Sequence, residues 1–167
     1  FSSKSGILKV SKNAEDICLN FPADDPELQE MDALFAEALG KSPIEILRGT
    51  DDFLAVFETE QQIQTMNPDF TKLAKINSRG VVISAPGNDV DFVSRCFFPQ
   101  TGVDEDPVTG SAHTMLIPYW AKQLDKIEFK AHQLSARGGA LDCKLINNRV
   151  LISGKSVIYF EGMISII

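Results

Sequence analysis

Asp106, Thr109, Gly110 and Ser111 fall within the six residues that lead into an apolar run, Ala112, Met115, Leu116, Ile117, Tyr119, Trp120, Ala121 and Leu124. A carboxylate can take or give a proton when it stands within hydrogen-bond reach of an acidic carbon. A helix that starts beside it offers unpaired N–H groups and a partial positive charge, which suit an anion. Gly110 lets a ligand come close to the backbone. The pattern therefore predicts an anion pocket at a helix entrance with a carboxylate alongside. Such a site could hold a small anion and stabilise negative charge that develops on it. On this reading Gly110, Ser111 and Ala112 donate backbone N–H groups to a substrate carboxylate. Ser111 adds its hydroxyl, and Asp106 orients substrate or shares in proton transfer. Plain helix capping is the competing role for Asp106 and Thr109.

The neighbouring acids and histidines are weaker candidates. Asp104, Glu105 and Asp106 would repel one another if packed together, so one of them should be solvated, and Asp104 fits best. His113 lies one turn into the predicted helix, where it either contacts ligand or is hydrogen-bonded in the core. Neither His113 nor His132 has a carboxylate three or four residues further on, which speaks against a metal site. Arg137-Gly138-Gly139 forms a second candidate. The glycines permit a turn with positive φ, and Arg137 could hold a carboxylate through its guanidinium fork. A surface turn with a solvated arginine accounts for the same residues.

The elements that must position these groups follow from periodicity. Ser5–Val10 and Ile17–Phe21 read as strands, the second by alternation of Ile17, Leu19 and Phe21. Asp25 and Pro26 suit the N-cap and first position of a helix carrying Leu28, Met31, Leu34, Phe35, Ala38 and Leu39, with Gly40 as its stop. Strands are expected at 44–48, 53–58, 81–85, 91–98, 127–131, 140–146, 150–153, 157–160 and 163–167, and short helices at 59–66 and from Asp69 to Lys75. Asn147-Asn148 is a hairpin signal. The run after Ser111 is apolar on most helical faces, so that helix belongs inside the molecule. A curved sheet wrapped around it is one way to bury it, an α+β arrangement.

Composition bounds the remainder. In 167 residues, 44% hydrophobic and 23% charged content support a real core. A net charge of −7 without a Lys/Arg cluster argues against a nucleic-acid partner. No apolar run reaches membrane-spanning length. Cys18, Cys96 and Cys143 are far apart and match no disulfide framework, which suggests reduced thiols and a cytoplasmic protein. The opening Phe1-Ser2-Ser3-Lys4 suggests a fragment or a processed piece.

Glu105-Asp106-Pro107-Val108-Thr109-Gly110-Ser111-Ala112-His113, followed by Pro118-Tyr119-Trp120, resembles the PhzF family of phenazine-biosynthesis-like isomerases. Gln133, Ser135, Arg137-Gly138-Gly139, Asn67-Pro68-Asp69-Phe70, Arg79-Gly80 and Arg95-Cys96-Phe97-Phe98-Pro99 extend the likeness over nearly the whole chain. The resemblance implies a diaminopimelate-epimerase-like fold of two halves, each a mostly antiparallel, barrel-like sheet around a central helix. It further implies a homodimer and cofactor-independent isomerisation of a small carboxylic acid, with the site in the cleft between the halves. By this likeness residues 17–156 form one half. Residues 1–16 are expected to carry a terminal strand of the other, and 157–167 to hold terminal strands that return to it. The family's catalytic glutamate then lies in the N-terminal half, outside this sequence. That half of the same protein becomes a necessary partner, and the fragment alone is expected to be inactive. A non-catalytic carboxylate-binding or regulatory protein with the same fold is the alternative.

Overall fold

A computed structural model describes residues 2–3, 6–13, 16–157 and 159–163. Its main body is an eleven-stranded sheet. In chain order the strands are β1 (Ser2–Ser3), β2 (Gly6–Ile7), β3 (Lys9–Asn13), β4 (Asp16–Pro22), β5 (Glu27–Leu28), β6 (Glu45–Arg48), β7 (Asp52–Val56), β8 (Gly80–Pro86), β9 (Phe92–Phe98), β10 (Val103–Asp106), β11 (Glu128–Gln133), β12 (Gly139–Ile146) and β13 (Arg149–Lys155). The path runs β3-β4-β13-β12-β11-β9-β8-β7-β6-β5, with β10 as an extra partner of β9, while β1 and β2 pair separately. Among the described residues only the β7–β8 and β9–β11 pairs are parallel. The helices are α1 (Ala33–Leu39), α2 (Glu60–Gln64), α3 (Phe70–Leu73) and α4 (His113–Leu124).

Alternation along the central strands sorts side chains into two cores. Leu47, Leu54, Val56 and Val82 face α4, together with Phe92, Cys96, Phe129, Leu141, Val150 and Ile152. Their neighbours Ile46, Ala55, Phe57, Val81, Ile83 and Phe97 face the other way, against α1, α2 and α3. Met115, Leu116, Ile117, Tyr119 and Trp120 of α4 are all buried. A helix apolar around most of its circumference is thus enclosed by strands, as its composition demands. Trp120 stacks on Phe92 and donates to the Ser84 hydroxyl at 3.0 Å, and Tyr119 donates to Glu45 at 2.9 Å. The segment after β4 closes the ring across the entrance of α4. Ala23 N–H donates to Asn148 O, Asp24 N–H to Thr114 O, and the Asp24 carboxylate accepts from Thr50 N–H and hydroxyl.

Several expectations need correction. The first helix does not start at Asp25-Pro26. Glu27 and Leu28 pair with Arg48 and Leu47 as an edge strand, and Leu28 and Met31 are exposed. Asp32 caps the Leu34 N–H at 2.9 Å, and the helix runs only from Ala33 to the left-handed Gly40. Capping by a side chain seven residues later outweighed the Asp-Pro signal. Residues expected as one strand, Ser5–Val10, are divided between β2 and β3, with Ser5 outside the described residues. The expected strand at 157–160 is absent among its described residues; Val157, Tyr159 and Phe160 are exposed and unpaired in any sheet, as is Met163. The strand expected at 163–167 otherwise lies outside the described residues. No strand was expected at Val103–Asp106, where β10 joins β9 through an irregular register. Among the described residues no helix is long and apolar enough to cross a membrane.

Candidate functional site

The helix entrance is built from three residues in a tight turn. Gly110, Ser111 and Ala112 direct their carbonyls to the N–H groups of His113, Thr114 and Met115 at 3.1–3.2 Å, so the regular helix starts only at His113. The N–H groups of Gly110, Ser111 and Ala112 have no hydrogen-bond partner among the described residues. Ser111 is exposed and Gly110 half-buried, whereas Ala112 is wholly buried. Of the three, Gly110 and Ser111 keep exposed surface, and Ala112 packs in the core with its N–H at the same turn.

Asp106 ends β10 and faces this turn. The Thr109 hydroxyl donates to Asp106 Oδ2. Buried Gln133 fixes both residues: its Oε1 accepts the Thr109 N–H at 2.8 Å, and its Nε2 donates to Asp106 O at 2.7 Å and to Thr109 Oγ1 at 3.2 Å. Asp106 Oδ1 is left without a partner among the described residues. Asp106, Thr109 and Ser111 line one depression of about 230 Å³ with Arg79, Phe98, Thr101 and Val103. Ser111 and Arg79 also border a neighbouring recess of about 560 Å³, whose far side includes Leu8, Phe21, Asp24, Thr50 and Asp51.

Arg79 is the functional candidate that sequence reasoning passed over, naming it only among the residues of the family likeness. Its guanidinium forks onto buried Asp52, with Nε at 2.9 Å from Oδ1 and Nη2 bonded to Oδ2, and Nη2 also donates to Ser111 Oγ at 3.2 Å. The hydrogen bond to Asp52 is the main influence holding the guanidinium in its charged form, opposed by burial. No spacing signal joins positions 52, 79 and 111; Asp52 and Arg79 meet because β7 and β8 are parallel neighbours that set Asp52 opposite Gly80.

Other predicted site residues go elsewhere. His113, expected among the ligand contacts, is fully buried. Its Nδ1 bonds Thr109 O at 2.8 Å, and Nε2 has no partner among the described residues. Burial lowers its pKa to about 4, leaving a neutral ring that holds the Thr109 backbone. His113 is thereby corrected to a core residue. Arg137 is exposed and borders a separate hollow of about 750 Å³ with Val108, Lys130 and His132, which shares no residue with the two recesses at the α4 entrance. Gly138 has φ of 70° and its N–H donates to Ser135 Oγ, whose hydroxyl donates to Pro107 O. Gly139 is needed for a close approach to the chain itself. A Cβ there would lie 2.4 Å from Val108 Cγ2. The Arg137–Gly139 turn thus braces the Asp106–Thr109 loop from behind. Asp104 is exposed, as expected, and Glu105 is half-buried and forked by Arg95 at 2.7 and 2.9 Å. Cys96 and Cys143 are buried free thiols; burial raises the pKa of both, Cys143 to about 12.

Comparison with known proteins places this arrangement. The family model described as phenazine biosynthesis-like protein matches residues 1–162. A Pseudomonas aeruginosa protein named as an uncharacterized isomerase is 46% identical over 164 residues, covering 98% of this chain and 63% of that protein. The mouse phenazine biosynthesis-like domain-containing protein 2 is 35% identical over 187 residues, covering 99% of this chain and 64% of its own length. The crystal structure of a PhzF-family phenazine biosynthesis protein from Enterococcus faecalis superposes with a TM-score of 0.89 at 41% identity, covering 96% of this chain and 62% of that one. A Clostridium difficile PhzC/PhzF protein, titled putative, gives 0.87 at 38% identity, covering 99% and 64%. The chain spans a little under two thirds of the length of these relatives. Sequence, sheet path and enclosed helix agree: the chain belongs to the phenazine biosynthesis-like PhzC/PhzF family, with its diaminopimelate-epimerase-like α+β fold.

Proposed function

We propose that this chain supplies one wall of the active site of a PhzF-like isomerase that moves a proton on a small carboxylic acid by acid/base chemistry, without a cofactor. The observation that carries this reading is the juxtaposition at the α4 entrance. Ser111, whose N–H is unpaired among the described residues, lines an open depression with a carboxylate, Asp106, that keeps one oxygen free, and the unpaired N–H of Gly110 is next to it in the chain. The amides stabilise a substrate carboxylate, or the charge that grows on it as an adjacent C–H bond ionises. Asp106 orients the substrate or carries the proton over a short distance. The names of relatives as isomerases support the reaction class. Because the chain spans 60–63% of those relatives, the second acid/base group is proposed to lie outside these 167 residues, in an N-terminal half that closes the cleft. A homodimeric assembly belongs to the same proposal.

The test is exchange of the carbon-bound proton in deuterated water, followed by NMR. The protein as its gene encodes it is incubated with a panel of small carboxylic acids carrying a C–H beside the carboxylate. Exchange with a member of the panel that is lost in Asp106→Asn supports the reading. Binding without exchange favours a carboxylate-binding protein, and exchange at the parent rate in Asp106→Asn reduces Asp106 to a cap.

A further inference from the structure

The hydroxyls of Thr109 and Ser111 flank the same depression and both accept from a nitrogen donor, but they differ in where their own protons go. Thr109 accepts from Gln133 and spends its proton on Asp106. Ser111 Oγ accepts from Arg79 Nη2 at 3.2 Å, and its own O–H finds no acceptor among the described residues. A hydroxyl that accepts from a cationic donor is polarised, which makes its own O–H a stronger donor and its second lone pair a weaker acceptor. Arg79 cannot easily turn away. Its fork is bound by Asp52, which is 4% exposed, and its guanidinium lies 5.5 Å from the centre of the Phe98 ring.

We infer that Arg79, anchored by Asp52, is a positioning residue that fixes Ser111 as a hydrogen-bond donor to the anionic oxygen of a bound carboxylate or enolate. The depression then has a donor side, Ser111, and an acceptor side, the free Oδ1 of Asp106. Naming the donor side rests on the isomerase reading above. The arrangement of Arg79, Asp52 and Ser111 does not. Its physical core is that negative charge at position 111 is stabilised by the Arg79 side chain beyond what the α4 entrance gives alone.

That core can be measured without any ligand. In the protein as its gene encodes it, Ser111→Cys places a thiol at the site, and its titration midpoint is read from the pH profile of iodoacetamide alkylation. Mass spectrometry of the peptide carrying residue 111 separates it from Cys18, Cys96 and Cys143. The same profile is taken after adding Asp52→Asn and Arg79→Gln together, which removes the ion pair without stranding a buried carboxylate. We expect the midpoint to rise by about one pH unit, the lower range for loss of an adjacent cation. Equal midpoints in the two proteins would overturn the inference and leave the helix entrance as the sole source of the field. Should the triple variant fail to fold by circular dichroism, Arg79→Lys in the Ser111→Cys protein replaces it. A single ammonium bound to Asp52 loses the second arm of the fork, so the midpoint should rise by about half a unit. An unchanged midpoint there overturns the inference equally.

Discussion

Glu105 and Asp106 are adjacent in the chain and are held on different partners: the Glu105 carboxylate is forked by Arg95, and the Asp106 carboxylate accepts the Thr109 hydroxyl. Successive side chains of a strand point to opposite faces, and here the strand separates two carboxylates that would otherwise repel. Arg95 also donates to Ile63 O at 3.2 Å and to Met66 O at 2.7 Å, so Glu105 ties β10 to the end of α2.

Two neighbouring acids should therefore fail in different assays. Glu105→Gln leaves a mostly buried guanidinium without its counter-charge and should cost about 2–3 kcal/mol in urea unfolding, near the lower end for a broken buried pair. Proton exchange on the substrate should persist in the folded fraction. Asp106→Asn should unfold within about 1 kcal/mol of the parent while losing exchange. If Glu105→Gln abolished exchange in fully folded protein, the division of roles would be wrong.

Gln133 should matter more for stability than any other polar side chain at the site. Gln133→Leu strands the Thr109 N–H and the Asp106 carbonyl, and each unmet buried group costs about 1–3 kcal/mol. A loss of about 2–4 kcal/mol is expected in chemical denaturation, with weaker carboxylate binding as the Asp106–Thr109 loop loosens. A variant as stable as the parent would show that water replaces the amide.

His113 makes stability depend on pH in a defined direction. Its folded pKa of about 4 lies below the ordinary 6.5, so the unfolded chain binds the extra proton first. The contribution is complete above pH 6.5 and is lost as the pH falls toward 4, at up to about 1.4 kcal/mol per unit. Denaturation curves of the parent and His113→Gln, taken across that range, should differ by this slope. Parallel curves would mean that the ring is protonated in the folded state.

The contact between Gly139 and Val108 predicts a rescue. Gly139→Ala brings a methyl within 2.4 Å of Val108 Cγ2 and should cost about 1–3 kcal/mol by overpacking. Adding Val108→Ala should recover part of that loss, a coupling visible in a double-mutant cycle of unfolding free energies. Strict additivity would show that the strain is relieved elsewhere.

Local patterns carried much of this fold. The Gly40 stop, the helix start at Asp69 and the Asn147-Asn148 hairpin are set by residues within a turn of one another, and each was legible. So was the burial of α4, because no soluble surface tolerates that composition. The Asp25-Pro26 signal misled because a second cap, Asp32, lay seven residues on, and edge pairing of Glu27-Leu28 decided between them. Strand β10 escaped notice because Asp104, Glu105 and Asp106 lack apolar alternation. At the site, Asp106 and Ser111 were readable from the motif. Arg79 and Gln133 were not assigned to it, since their bonds cross 32 and 24 residues of sequence.

Strand β4 has consequences for synthesis on the ribosome. Along one edge it pairs with β3, while its other edge pairs with β13, and Arg149 binds Asn20 across 129 residues. Until the last of these strands leaves the exit tunnel, Leu19 and Phe21 lack the neighbours that shield them, and the raw edge of β4 invites strands from other nascent chains. Vectorial production thus leaves β4 waiting on β13, so chaperone demand should persist until β13 has emerged.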